Sequence, residues 1–143
     1  MSYKIRKMNG RDCKAVFALW RATEGIGLDD DCDTPRGLAR YLKRNPGLSF
    51  VACDEDRLVG AVLSGHDGRR GYLHHLAVAG THRRRGIGRA LVARCLRSLA
   101  KQRIPKCNIF LFESNADGKA FWQHNGWNLR TDLRVLQSKT NGF

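Results

Sequence analysis

The sequence lacks the features of membrane, disulfide-rich and low-complexity proteins. With 3 prolines and 15 glycines in 143 residues it has no collagen-like or repetitive bias. No apolar run approaches the length that crosses a bilayer, and no apolar block follows the charged residues 1–7. The 5 cysteines are odd in number and form no Cys-x-x-Cys pair, so neither a disulfide framework nor a metal site is expected. We therefore expect a cytoplasmic protein without a membrane partner.

Acidic residues are scarce in the second part of the chain. Residues 61–143 carry 15 Lys and Arg against 4 Asp and Glu, whereas residues 1–60 carry 11 against 9. A basic half suits an anionic partner, such as nucleic acid, an anionic surface or a phosphorylated small molecule, although a generally basic surface also fits. The length and the 42% hydrophobic content predict one globular domain, residues 1–143.

Hydrophobic periodicity and turn residues predict the order strand, two helices, three strands, helix, strand, helix, strands. This order indicates an α/β fold, a mixed sheet with helices on both faces. The predicted strands cover residues 3–8, 48–54, 58–64, 71–78, 106–113, 127–130 and 133–137, and the predicted helices cover residues 11–22, 34–44, 89–101 and 115–125.

A loop rich in glycine and arginine, residues 80–88, joins a predicted strand to a predicted helix. Glycine lets backbone approach a ligand closely, and the first amides of a helix lack internal partners and lie at the positive end of its dipole. Such a turn can bind phosphate, although an ordinary connection beside solvated arginines also fits. A P-loop is excluded because Gly-Lys-Ser/Thr is absent, and a dinucleotide fingerprint is excluded because position 91 is Leu.

The loop resembles a known cofactor-binding motif. Its residues Arg83-Arg84-Arg85-Gly86-Ile87-Gly88 match the pattern Arg/Gln-x-x-Gly-x-Gly/Ala of the acetyl-coenzyme A loop in the GCN5-related N-acetyltransferase (GNAT) superfamily. Residues 73–78 resemble that family's fourth strand, and residues 89–92 its third helix. Residues 115–127 resemble its late motif, with Trp122 where most members carry tyrosine. The resemblance implies the acyl-CoA N-acyltransferase fold, with a mostly antiparallel sheet of about six to seven strands.

The resemblance also implies which residues bind acetyl-CoA as cosubstrate. In the family, strands four and five splay apart, and the backbone of strand four binds the pantetheine arm and polarises the thioester carbonyl. Loop amides bind the pyrophosphate. Asn115 would bond the arm or simply cap its helix. The residues expected to bind the cofactor are Leu76, Ala77, Val78, Arg83, Arg84, Arg85, Gly86, Ile87, Gly88, Arg89, Asn115 and Trp122.

Amine acylation requires loss of a proton, which suits a histidine base. Some family members carry a base on the fourth strand, where His74 matches, with Tyr72 as its same-face neighbour if the strand alternates. Loss of the proton through ordered water is the alternative. His75 is expected to point to the opposite face and pack under a helix. We interpret the remaining histidines, which fall in loops or on a helix surface, as residues without a functional role: His66, His82 and His124.

The usual acid of the family, a tyrosine in the late helix, is replaced by Trp122, whose indole has no useful acidity. The thiolate therefore leaves unaided, given a thiol pKa of ~8.5, or is protonated by water or by another residue such as Tyr72.

The expected function is transfer of an acetyl group to a small-molecule or peptide amine. The loop at residues 24–33 has 5 acids, which would attract a cationic amine or would simply be solvated. Two other functions are open: a basic nucleic-acid-binding module, although its aromatic residues are not interleaved with the arginines, and a non-catalytic acyl-CoA sensor. We expect no nucleic-acid partner, and the resemblance allows a homodimer.

Overall fold

A computed structural model describes residues 2–142 of the chain. It divides the chain into two compact units, Met1–Phe112 and Glu113–Phe143, which are described separately below.

The first unit is built around a mixed five-stranded sheet. Its strands lie in the order β1-β2-β3-β4-β5; neighbours are antiparallel except for β4 and β5, which are parallel. The prediction of a mixed, mostly antiparallel sheet is therefore confirmed. The elements are β1 (Tyr3–Lys7), α1 (Cys13–Arg21), α2 (Pro35–Arg44), β2 (Phe50–Asp54), β3 (Arg57–His66), β4 (Gly71–Val78), α3 (Ile87–Lys101) and β5 (Cys107–Ile109).

Capping side chains lie close to the predicted starts of the first two helices, at residues 11 and 34. Asn9 accepts from the backbone of Arg11 and Asp12 accepts from the backbone of Asn9, which closes a capping box around a 3-10 turn ahead of α1. Thr34 accepts from the Gly37 amide at 3.0 Å, and Pro35 occupies the first turn of α2.

Helices cover both faces of this sheet, as predicted. On one face, α1 and α2 pack apolar side chains against alternate strand residues: Val16, Phe17, Trp20 and Leu38 against Val51, Ala61, Leu63 and Ala77. On the other face α3 lies so close that a Cβ on Gly60 would be 3.0 Å from Leu91, and one on Gly71 would be 2.7 Å from Leu99. The two glycines therefore let α3 approach the sheet.

The second unit contains α4 (Ala116–His124) and a 3-10 turn at Thr140–Gly142. Residues 127–130 and 133–137 form no strand, and β5 has 3 residues where the sequence predicted eight, 106–113. The predicted six to seven strands are therefore not found: residues 2–142 contain five. A strand is defined by a hydrogen-bonded neighbour, and apolar alternation alone does not supply one. No helix in residues 2–142 is long and apolar enough to cross a membrane.

Candidate active site

The ladder between β4 and β5 stops in the middle of the sheet. The two strands pair at three positions, from Gly71 with Cys107 to Leu73 with Ile109. Beyond Leu73, β4 continues to Val78 and pairs only with β3 in the part of the chain that the structure describes. The backbone of residues 74–78 consequently faces a gap in the sheet on the β5 side.

A bulge in β4 lies at the start of this gap. His75 has φ +56°, and the register between β3 and β4 shifts between Ala61 and Leu63. A bulge breaks the alternation of side chains along a strand. The ring of His74 contacts Tyr41 of α2 and the ring of His75 contacts Trp20 of α1, so both point to the same face of the sheet. The prediction that they point to opposite faces is wrong.

His74 lies in a cluster of aromatic side chains. Its ring is stacked with that of Tyr72, with centroids 6.4 Å apart and planes inclined by 11°. Tyr41 lies 6.1 Å away edge-on, and Phe110, the residue after β5, lies 6.3 Å away. The sequence placed Tyr72 beside His74, and the structure brings the two together. No sequence signal indicated that Tyr41 of α2 and Phe110 after β5 would lie beside His74.

The surroundings of His74 favour its neutral form. Burial lowers its pKa, and the neighbouring His75 lowers the pKa further. Among the hydrogen bonds of residues 2–142 none involves a ring nitrogen of His74. These surroundings favour the neutral imidazole, which has a ring nitrogen available to accept a proton.

His75 is occupied differently. Its Nε2 lies 3.0 Å from Oδ1 of Asp33, and its ring centroid lies 5.0 Å from that of Trp20. The prediction that His75 packs under a helix is confirmed. The pairing with Asp33 joins residues 42 positions apart, and no local sequence pattern predicts it.

The glycine- and arginine-rich loop enters α3 through two left-handed residues. Arg84 has φ +62° and Gly86 has φ +78°. Among residues 2–142 no side chain caps α3, so its first amides remain available to a ligand. A Cβ on Gly86 would meet no atom of residues 2–142 within 4 Å. Four arginines near these amides are exposed, namely Arg83, Arg84, Arg85 and Arg89.

Arg83 reaches back to the gap. Its Nε donates to the Val78 carbonyl at 3.3 Å. The end of β4 and the start of the loop are thus joined by a side chain as well as by the backbone.

His82 lies at the base of this loop, where the sequence predicts it, but it is buried, which its place in a loop did not indicate. Its Nε2 lies 2.8 Å from Oδ2 of Asp54, at the end of β2, and its Nδ1 lies 2.7 Å from the Thr81 hydroxyl. The hydrogen bond with His82 lowers the pKa of Asp54. The residue fastens the loop to the β2–β3 turn.

In the second unit, Asn115 caps α4 by accepting from the Gly118 amide at 2.9 Å. Trp122 is buried, with its ring edge-on to Phe121 at 5.2 Å and to Trp127 at 4.7 Å. The oxygen of Asn115 is therefore engaged, and only its Nδ2 is left to donate to a ligand.

These features accompany a clear family match. The model of the Acetyltransferase (GNAT) family matches residues 13–127. The chain belongs to this family. An acetyltransferase of Pectobacterium atrosepticum is 32% identical to this GNAT protein over 112 residues, 78% of each chain. The resemblance found in the loop and its flanking motifs is thereby confirmed.

Two solved structures show the same fold. The PaiA N-acetyltransferase of Thermoplasma acidophilum, in complex with coenzyme A, has a TM-score of 0.80 and 19% identity, covering 91% of this chain and 92% of that one. The enzyme AAC(6')-Iy, in complex with the bisubstrate analogue CoA-S-monomethyl-acetylneamine, has a TM-score of 0.75 and 19% identity, covering 97% and 99%. At these identities the likeness establishes the fold.

Proposed function

We propose that this GNAT protein transfers the acetyl group of acetyl-CoA to a primary amine by direct attack. The observation that carries the proposal is the gap beside residues 74–78, which leads directly into a glycine loop and an uncapped helix N-terminus. The pantetheine arm and the diphosphate belong to one coenzyme A molecule, so the gap that receives the arm and the loop that receives the diphosphate must adjoin. The match over residues 13–127 spans both compact units, so we propose that residues 1–143 act as one N-acetyltransferase domain.

The cofactor is held mainly by backbone groups. The amides and carbonyls of Leu76, Ala77 and Val78 bond the pantetheine arm as an added strand would. Amides from Arg84 to Arg89 receive the pyrophosphate, and the arginine side chains neutralise its charge. Asn115 and Trp122 belong to the second unit, and we keep them in the proposed set on the resemblance to the family's late motif alone.

His74 is the proposed base. The amine nitrogen attacks the thioester carbonyl, and its proton passes to a ring nitrogen of His74 directly or through one water. An amide of residues 76–78 stabilises the negative oxygen of the tetrahedral intermediate. The carbon–sulfur bond then breaks, the amide product forms, and coenzyme A leaves as a thiolate that takes a proton from water or from the Tyr72 hydroxyl.

The acceptor is proposed to be a cationic amine, as a small molecule or at a peptide end. The acids of residues 24–33 adjoin the gap, since Asp33 lies 3.0 Å from His75, and they attract positive charge toward it. Aromatic faces of Tyr41, Tyr72 and Phe110 favour an alkylammonium group. The fold relative AAC(6')-Iy carries an acetylneamine analogue, which supports an amine acceptor.

Incubation of the purified chain with acetyl-CoA and a panel of amines tests the proposal. We expect release of a thiol only when a reactive amine is present. Mass spectrometry should show a product about 42 Da heavier than the amine, because an acetyl group replaces a hydrogen. Calorimetry with coenzyme A is the companion measurement. Binding without turnover for any amine would favour a sensor, and absence of both would reject the proposal.

A further inference from the structure

The segment that joins α1 to α2, residues 24–33, touches both walls of the gap; we call it the strap. At one end Asp33 lies 3.0 Å from His75 at the bulge of β4. Nearer its start, Gly27 lies so close to Phe112 that a Cβ would be 2.6 Å from Cζ of that ring. Phe112 follows β5 by three residues. The strap therefore spans from β4 to the continuation of β5.

A single carboxylate organises the β4 end of the strap. Oδ1 of Asp33 contacts the imidazole of His75, while Oδ2 accepts from the Asp29 amide at 2.8 Å. The backbone closes the same turn, because the Asp33 amide donates to the Asp29 carbonyl at 2.7 Å. Removing this carboxylate would break the only side-chain link between strap and β4 among the hydrogen bonds of residues 2–142.

The link is shielded from water, which strengthens it. The side chains of Asp33 and His75 are 10% and 17% exposed. A hydrogen bond shielded from water is stronger than the same bond in water, whereas exposed ion pairs of a protein surface contribute little. Asp30, in contrast, is exposed, and its carboxylate takes part in no hydrogen bond within residues 2–142.

The residue at the far side of the link is itself unusual. His75 holds a left-handed backbone conformation that a side chain rarely adopts, and such positions persist when their surroundings hold them. Trp20 on one side and Asp33 on the other hold its ring. The bulge that places His74 beside the gap and the strap that adjoins it are thus fixed together.

We propose that Asp33, acting through His75, is a positioning residue that holds the strap against β4 and so sets the affinity for the acceptor amine. The inference rests on the proposed function for its kinetic part only, because the attachment of the strap can be measured without an acceptor.

Three variants distinguish the effect of losing the hydrogen bond between Asp33 and His75 from the effect of losing the negative charge of Asp33. Asp33→Ala removes both, whereas Asp33→Asn removes the charge and can still donate to His75 from Nδ2 and accept from the Asp29 amide. His75→Phe keeps an aromatic ring against Trp20 and removes the bond. Asp30→Ala is the matched control, since it removes one charge from the same segment without a hydrogen bond.

Hydrogen exchange of the strap amides, followed by mass spectrometry on the free protein, is the first measurement. We expect exchange in residues 26–33 to accelerate about tenfold or more in Asp33→Ala and His75→Phe, as a broken closing interaction of about 1.4 kcal/mol implies. Asp33→Asn and Asp30→Ala should exchange like the wild type. Unchanged exchange in Asp33→Ala, or equal acceleration in Asp33→Asn, would overturn the proposal.

Kinetics with the most reactive amine among sisomicin, spermidine and a short peptide is the second measurement. We expect Asp33→Ala and His75→Phe to raise the KM of the amine about fivefold above that of Asp30→Ala, with the KM of acetyl-CoA unchanged. A KM equal to that of Asp30→Ala, despite faster exchange, would also overturn the positioning role. Absence of turnover in the wild type would instead reject the proposed function, and exchange alone would then decide whether the link holds the strap.

Discussion

Nε2 of His82 and Oδ2 of Asp54 lie 2.8 Å apart although 28 residues separate them in the chain. The contact joins the base of the glycine loop to the end of β2. Because the loop itself bends through Arg84 and Gly86 in left-handed conformations, it needs an anchor outside its own backbone. His82 supplies that anchor.

Replacing His82 by alanine should weaken coenzyme A binding about tenfold, or about 1.4 kcal/mol, because the loop amides lose their fixed spacing. The loss of a buried hydrogen-bonded side chain should also lower stability by about 1–3 kcal/mol. Calorimetry and thermal unfolding measure the two effects. His124→Ala, at an exposed histidine of α4, is the control and should change neither. A His82→Ala variant that binds coenzyme A normally would show that the loop is held otherwise.

The contact between His82 and Asp54 should make the free energy of unfolding depend on pH, because Asp54 titrates. The folded protein lowers the pKa of Asp54, so its carboxylate adds stability above the unfolded pKa of ~3.9 and loses it as pH falls through the lower folded value. Asp54→Asn should therefore be less stable than the wild type at pH 7, and the difference should shrink below about pH 4. Urea unfolding at several pH values measures this; a difference that grows toward acid pH has the wrong sign.

Gly86 should tolerate no side chain if the loop binds phosphate. A residue with a Cβ in its left-handed conformation costs about 1–2 kcal/mol, and the side chain would project into space that no atom of the described protein occupies. Gly86→Val is expected to fold with a lowered Tm and to show no measurable coenzyme A binding. Gly80→Val is the matched control: a Cβ there also meets no described atom within 4 Å, and the φ of Gly80 lies outside the left-handed range. Equal binding by both variants would contradict the phosphate role.

The pH dependence of kcat/KM should reflect the ionisation of His74. Burial and His75 lower its pKa, so the acid limb of kcat/KM should lie below the ordinary histidine value of ~6.5. His74→Gln keeps a polar side chain and should remove this limb while lowering kcat by about 10²–10⁴-fold. Rates measured from pH 5 to pH 9 test both points. A profile that His74→Gln leaves intact would assign the proton to ordered water.

The exposed acids of the strap should affect charged acceptors only. Neutralising residues 29–31 together, as Asp29→Asn, Asp30→Asn and Asp31→Asn, keeps the Asp29 side-chain bond to the Asp31 amide available. The KM for a cationic amine should rise severalfold at low salt and less at high salt, because salt screens exposed charges. A neutral amine should show no change, and an equal rise for both amines would indicate a structural effect instead.

Local signals predicted much of this molecule. The helices predicted to begin at residues 11 and 34 are preceded by the 3-10 turn that Asn9 caps and by Thr34, and the glycines at 86 and 88 lie at the beginning of α3. These features depend on a few neighbouring residues, so a short stretch of sequence contains the cause. The same holds for the loop motif that led to the family.

Features that depend on distant partners could not be read in this way. The bulge at His75 arises from the register of β4 against β3, and alternation along β4 alone predicted the wrong face. The pairings of His75 with Asp33 and of His82 with Asp54 span 42 and 28 residues. The final strands failed for a related reason, because the alternating pattern at 133–137 carries no information about a neighbour to pair with.

The interrupted ladder between β4 and β5 has a consequence for the behaviour of the protein in concentrated solution. The amides and carbonyls of residues 74–78 that face the gap could pair with an extended segment of another chain. Such pairing at an open sheet edge leads to aggregation. A bound cosubstrate would cover that row and add stability that grows with the logarithm of its concentration. Storage with coenzyme A should therefore keep the protein monodisperse for longer, as light scattering would show.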